Sequence, residues 1–320
     1  VKLMEMRGVR CRPQNIFLTA GAQQGMDLVA RLLLDPEGPM MLEDIVYEGM
    51  QTVTKTLRPQ LLTVPTSAQH GMDVDAVELA LASGQKPAFI YAITDGHNPL
   101  GGSLPMASRW RLVELARRYG VPILEDDAYG YLYYDDQPAP PMRAINDEWV
   151  FYLGSFSKIL APALRVGWLV VPEVLQTKLA ALKQASDIDV ANYSQRTIAT
   201  YLDTGVLPRH LDRVRAVYRT RRDAMLDALT RHFPAGCRWN TPSAGLYLWV
   251  ELPEQIDALE LLRRSIEAEK IAFTPGKAFA LRGRHHANHC MRLAFGNVHE
   301  DAVEDGIARL AQVLRTMLAE

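Results

Sequence analysis

The sequence predicts an α/β protein: a large N-terminal unit built on a mostly parallel sheet, then a smaller α+β unit. Three observations carry this. From about residue 16 to residue 186, short apolar runs alternate with segments of helical period, the pattern of strands joined by helices that pack on the faces of one sheet. Polar and ionisable residues cluster directly after the apolar runs, as GAQQ, DGHNPLGG, EDDAY and SFSK, and ligands bind outside the carboxyl ends of the strands in open α/β sheets. From about Leu207 the texture changes to a long basic helical stretch with few strand runs after it. The expected division is therefore a large domain over residues 1–206 and a small C-terminal domain over 207–320.

The elements run in this order. VKLMEMRGV reads as a helix already under way, and the chain opens on Val1 rather than Met, as a fragment or processed form would. IFLTA is a short strand and GAQQG a turn. MDLVARLLL has apolar residues at three- and four-residue spacing, so it is a helix, and DPEGP stops it. PMMLED and LLTVPT are strands, and DVDAVELALASG is a helix opened by Asp73 and closed by Gly84. PAFIYAIT is a strand. LPMASRWRLVELARRYG is a helix with Pro105 in its first turn and Gly120 past its end. VPILED, VFYLGS and VGWLVV are strands, and PEVLQTKLAALKQAS is a helix. In the small unit a long helix (HLDRVRAVYRTRRDAMLDALTRHF) leads to the strand AGLYLWVELP, the helix DALELLRRSIEAEK, the strand MRLAF and a final helix.

Composition narrows the partners. With 48% hydrophobic and 22% charged residues among 320, the chain is that of an ordinary soluble globular protein. A formal net charge of −2 provides no field to draw nucleic acid or an anionic membrane surface. The apolar runs are broken by charges before they could span a bilayer, and nothing resembles a signal peptide. Cys11, Cys237 and Cys290 are few and far apart, which suggests no disulfide framework and a reducing, cytoplasmic home. RHHANHC crowds His285, His286, His289 and Cys290 together. It lacks a second ligand pair at zinc spacing, so no metal is expected there.

The chemistry-bearing stretch is LGSFSKILAPALRVG. Directly after a buried strand it presents Ser155, Ser157, Lys158 and, seven residues on, Arg165. A lone lysine at a strand end reads as a solvated surface residue, and it is the company of GAQQ, NPLG and EDDAY that points to a site.

Taken in order, GAQQ, NPLG, EDDAY, SFSK, the following arginine and RLAF resemble the fold-type I aminotransferases that use pyridoxal 5′-phosphate (PLP). The resemblance is to the class I/II enzymes of the 2-aminoadipate and kynurenine aminotransferase kind, and to the aminotransferase-like domain of MocR-type regulators. It covers nearly the whole chain. It implies a three-layer PLP-transferase fold, PLP as cofactor, and a homodimer. The implied activity moves an amino group between an L-amino acid (2-aminoadipate, aromatic or branched-chain type) and a 2-oxo acid. It further implies that backbone N–H groups of Gly21, Ala22 and Gln23 meet the phosphate at a helix start, with Ser155, Ser157 and Arg165 completing the cup. Lys158 would form the Schiff base and, once freed, act as general base and acid. Asp126, three residues before Tyr129, would keep the ring nitrogen protonated, while strand alternation points Glu125 and Asp127 elsewhere. Tyr129 and Asn98 would hydrogen-bond the 3-oxygen, Tyr47 would stack on the ring, and Arg292 would grip the substrate's α-carboxylate, near Asn98. Lys277, in FTPGKAFAL, is the rival lysine, but it matches a family loop that does not carry the cofactor.

The sequence also departs from the family. NPTG becomes NPLG, with Leu100 for threonine, and TDGH lacks the usual proline and glutamine. Relatives have a substantial preceding segment that supplies part of the substrate pocket and a tyrosine reaching the partner subunit's cofactor. The same resemblance admits two other readings: the ligand-sensing domain of a MocR/GntR-type regulator, with a winged helix-turn-helix upstream, or a PLP lyase on the same fold.

Overall fold

The computed structural model describes residues 1–281 and 285–320. Its strands are β1 (Ile16–Thr19), β2 (Pro39–Glu43), β3 (Gln60–Val64), the small hairpin β4 (Thr66–Ser67) and β5 (Gly71–Met72), β6 (Ile90–Ile93), β7 (Ile123–Asp126), β8 (Val150–Ser155), β9 (Gly167–Val170), β10 (Arg238–Trp239), β11 (Tyr247–Glu251), β12 (Thr274–Pro275) and β13 (Cys290–Ala294). Seven of them form one sheet in the order β1-β9-β8-β7-β6-β2-β3. Neighbours from β8 through β7, β6 and β2 to β3 pair in parallel, and β9 is antiparallel to both β8 and β1. The connection from β8 to β9 carries only short helical turns, which suits a direct return rather than a crossover.

Alternation along the strands buries both faces, as a parallel sheet requires. Met40, Leu42, Tyr91 and Leu124 pack with the helix Ala22–Leu33. Met41, Ile90, Ala92 and Ile123 face the other way, into a core shared with the helices Val74–Ala82 and Met106–Tyr119. The sheet is thus the middle of three layers, as expected. A second, antiparallel sheet, β10-β11-β13-β12, shares its own core with the helices Leu207–His232, Ala258–Glu269 and Glu300–Ala319. No helix among the described residues is long and apolar enough to cross a membrane.

Local signals explain some boundaries. The Asp73 carboxylate accepts the Ala76 N–H at 3.0 Å and caps its helix, and Gly120 ends the helix Met106–Tyr119 in the left-handed conformation. Three boundaries differ from the sequence reading. GAQQG is not a turn: Gly21, at φ 82°, swings the chain straight into a helix that begins at Ala22. Pro105 stands just before its helix rather than inside it. A 3-10 turn, Glu173–Leu175, precedes the helix Gln176–Asp187. Helices Glu48–Thr54 and Asn192–Asp203 have no counterpart in the sequence reading. In RHHANHC, Arg284 and the side chain of His285 lie outside the described residues.

Candidate active site

The carboxyl ends of β6, β7 and β8 open on a cavity of about 420 Å³, the size of a small-ligand site. Ala22, Gln23, Tyr47, Asn98, Asp126, Tyr129, Ser155, Ser157, Lys158, Arg165 and Arg292 all line it. Gly21 does not line the cavity but lies against it, beneath Arg165. Lys277 is exposed and does not line it.

The floor is β7 and the turn at its end. Asp126 ends that strand, is 5% exposed, and accepts the Tyr91 hydroxyl at 2.7 Å and the Ala128 N–H at 3.3 Å. Burial pushes its carboxyl up to about 6, opposed by the Tyr91 hydrogen bond. Its neighbours turn away from the cavity. Glu125 accepts the backbone N–H groups of Met142 (2.6 Å) and Arg143 (2.8 Å), and burial pushes it up to about 7. Asp127 accepts from Arg7 Nε at 2.9 Å and the Tyr152 hydroxyl at 2.7 Å. Arg7 also reaches Asp95, as does Arg109, so two arginines and two aspartates neutralise one another beneath the site.

One wall is a cradle of donors. Gly21 turns the chain into the helix Ala22–Leu33, whose first N–H groups have no partner within the helix. A Cβ on Gly21 would stand 2.7 Å from Arg165 Nη2, and one on Gly167 would stand 2.8 Å from the Gly21 carbonyl carbon. Both glycines let backbone and guanidinium come together. Ser155 accepts the Ser157 N–H at 3.2 Å as an N-cap, and among the described residues Arg165 holds only the Ala20 carbonyl, at 3.3 Å. The Gln23 side chain donates to the Gly49 carbonyl at 3.0 Å, tying the segment of Tyr47 to this helix.

The other wall comes from the small sheet. Arg292 lies between two rings, with its guanidinium carbon 4.2 Å from the Tyr247 centroid and 4.8 Å from that of Phe279. It donates to Asn98 Oδ1 at 2.7 Å and Thr274 Oγ1 at 3.2 Å, and its buried Nε has no hydrogen-bond partner among the described residues. Tyr247 is a site residue that the sequence reading missed. Its hydroxyl is 3.3 Å from that of Tyr129, so it bridges Tyr129 and Arg292. Strand alternation in AGLYLWVELP puts Tyr247 on the same face as Trp249, but nothing local tells which face meets the cavity. Leu100, the departure from NPTG, is 1% exposed and packs with Ile45, Trp249 and Phe279. The substitution trades a hydroxyl for contact with the small sheet.

Electrostatically the cavity is cationic. Among the described residues Lys158, Arg165 and Arg292 make no ion pair, while Asp126 and the rim residue Glu48 supply the only carboxylates on its wall. Such a site suits a ligand carrying several negative charges. No cluster of His, Cys, Asp and Glu fit for a metal occurs among the described residues.

The family model for aminotransferase class I and II matches residues 2–310. The 2-aminoadipate transaminase of Thermus thermophilus is 37% identical over 96% of this chain and 77% of its own length. Aromatic-amino-acid aminotransferase 1 of Thermococcus litoralis is 35% identical over 94% of this chain and 72% of its own. The crystal structure of α-aminoadipate aminotransferase from Thermus thermophilus, complexed with N-(5′-phosphopyridoxyl)-L-leucine, superposes with a TM-score of 0.90 at 36% identity, covering 96% of this chain and 79% of that one. An uncharacterized HTH-type transcriptional regulator of Escherichia coli, YdcR, is 31% identical over 86% of this chain and 58% of its own length.

The fold and the site define a class: the chain belongs to the class I and II aminotransferases. It is a transaminase, and its cofactor is PLP. The residues present fit that cofactor. A donor-rich cradle stands at a helix start for the phosphate, an amine without a carboxylate partner stands beside it, and a buried carboxylate faces the same space.

Proposed function

We propose that this aminotransferase moves an amino group between an L-amino acid of 2-aminoadipate, aromatic or branched-chain type and a 2-oxo acid. The observation that carries this reading is the convergence of Lys158, Arg165 and Arg292, without an ion pair among the described residues, with buried Asp126 on one cavity. When bound, PLP supplies an electron sink for the pair left at the substrate's Cα. Residues 1–206 form the cofactor-binding domain in this reading, and 207–320 the small one.

Each residue then has a task. Ala22 and Gln23 N–H groups, with Ser155, Ser157 and Arg165, hold the phosphate, and Gly21 leaves room for the guanidinium. Asp126 would hold a proton on the pyridine nitrogen, whose positive charge would favour the ionised form of a carboxyl that burial raises to about 6 in the cofactor-free chain. Tyr129 and Asn98 would donate to the ring's 3-oxygen, and Tyr47 would pack on the ring. Arg292 receives the α-carboxylate with its fork, which Tyr247 and Phe279 hold in plane. Lys158 Nζ would hold the cofactor covalently at rest and be displaced from it by the substrate's amine. Once freed, it would remove the proton from Cα and return one.

A homodimer in the cytoplasm completes the reading. The test is to load the chain with PLP, offer glutamate, 2-aminoadipate, leucine and phenylalanine in turn, and follow the 2-oxo acid and the pyridoxamine form. Stoichiometric appearance of both with one donor supports transamination. The likeness to YdcR supports a second reading, a ligand-sensing domain; its signature is saturable binding of cofactor and amino acid without any 2-oxo acid.

A further inference from the structure

The turn 94–102 carries Asn98, and its sequence TDGHN departs from the family. Two buried groups the reaction scheme leaves unused stand beneath it. His97 is 1% exposed and Glu43, at the end of β2, is 0% exposed. His97 Nε2 lies 2.9 Å from Glu43 Oε2, and the Thr66 hydroxyl donates to Glu43 Oε1 at 2.8 Å. The Leu100 N–H points at His97 Nδ1 from 3.4 Å. The Leu100 N–H at Nδ1 fits the tautomer that carries its proton on Nε2 and donates to the carboxylate. A buried carboxylate needs such donors, and this one has a donor for each oxygen.

The couple therefore pins the turn to the sheet from below. From above, the turn meets the small sheet. Asn240 donates to the Leu100 carbonyl at 2.8 Å and accepts the Trp249 N–H at 3.0 Å. A Cβ on Gly101 would stand 2.3 Å from the Tyr247 carbonyl oxygen, and one on Gly96 would stand 2.6 Å from the Gly245 backbone. Between these anchors Asn98 presents Oδ1 to Arg292 at 2.7 Å, which leaves its Nδ2 for the cavity.

We propose that Glu43 and His97 are positioning residues for the transamination: a buried neutral-histidine–carboxylate couple that fixes the 97–102 turn. Through it Asn98 divides its amide between Arg292 and the cofactor, and Arg292 is oriented for the substrate carboxylate. This rests on the transaminase reading above. Its consequence is specific: loosening the couple weakens amino-acid recognition and changes the environment of the cofactor's 3-oxygen, while the fold and Lys158 stay in place.

The experiment compares PLP-loaded wild type, His97→Ala, His97→Gln and Glu43→Gln. Leaving a buried partner unsatisfied in His97→Ala is expected to raise KM for the amino-acid donor about tenfold or more, and to shift the apparent pKa of the visible cofactor band. His97→Gln, which offers both a donor and an acceptor, recovers most of both effects. Unchanged KM and band in His97→Ala, or equal losses in His97→Ala and His97→Gln with the band unmoved, would overturn the proposal. Nitrogen NMR of the cofactor-free wild type provides an independent arm, which also decides the matter if the alanine variant does not fold. A neutral His97 protonated at Nε2 is expected, and a charged ring or the Nδ1–H tautomer contradicts the couple. A wild type that takes up no PLP or turns over no donor sinks the transaminase reading instead, and leaves the tautomer to judge the couple.

Discussion

Arg165 Nη2 stands 2.7 Å from the point where a Cβ on Gly21 would be, with Gly21 at φ 82°. Arg165 itself sits at φ 52°, at the end of a single 3-10 turn. The glycine is thus required twice, for its backbone angle and for the space it leaves to the guanidinium.

Gly21→Ala tests this. The alanine methyl pushes Arg165 away from the helix start and strains the backbone by about 1–2 kcal/mol. The expected outcome is a PLP Kd raised about tenfold in a protein that still folds. Titration of the cofactor-free variant checks it, and an unchanged Kd removes Gly21 and Arg165 from the phosphate cup.

Arg292→Lys separates charge from shape. Lysine keeps a cation but loses the fork, the stack between Tyr247 and Phe279, and the bond to Asn98. Two charge-assisted hydrogen bonds weakened together predict a KM for the donor raised about 10- to 100-fold, with PLP affinity unchanged. Steady-state kinetics with a fixed 2-oxo acid measure it; a KM at the wild-type value would exclude Arg292 as the carboxylate's partner.

Asp126→Asn gives a pH-dependent effect of known sign. Burial raises the Asp126 carboxyl from an ordinary 3.8 to about 6. The folded chain therefore binds more protons than the unfolded chain between these values, and stability from this group falls as pH rises through the window. Asparagine mimics the protonated acid. The cofactor-free variant should match wild type near pH 4 and exceed it above pH 6, by about 2–3 kcal/mol at most. Denaturant melts at the two pH values check it, and a difference independent of pH would contradict the assigned shift.

Arg7→Ala probes the layer beneath. Arg7 is 6% exposed and bonds both Asp95 and Asp127, so its removal leaves buried charge uncompensated and should cost about 3–5 kcal/mol. A loss below about 1 kcal/mol in a denaturant melt, the scale of an exposed pair, would show that the network carries little of the stability.

Much of this architecture was legible because the controlling signals are local. Apolar alternation marks β6, β7 and β8, and Asp73 and Gly120 punctuate helices. That GAQQ, NPLG, EDDAY and SFSK gather at one place follows from one rule, that ligands sit beyond strand carboxyl ends, whereas the choice of Lys158, Asp126 and Asn98 within them came from the family resemblance. What was illegible depends on long-range contact. Tyr247 reaches Tyr129 across 118 positions, and Glu43 reaches His97 across 54. Neither pairing leaves a mark in its own stretch. Read locally, GAQQG is a turn, and only the family resemblance implied a helix start there; one left-handed glycine suffices to redirect the chain. Leu100 became intelligible only once the small sheet was seen to pack on it.

The central claim is that Lys158 holds the cofactor. The direct measurement is borohydride reduction of the PLP-loaded protein, followed by peptide mapping by mass spectrometry. The phosphopyridoxyl mass is expected on the peptide containing Ser155–Lys158, and absent from Lys158→Ala, which should also lose turnover. A label on Lys277, on another lysine, or on none, after the wild type has been shown to bind PLP, would contradict the assignment.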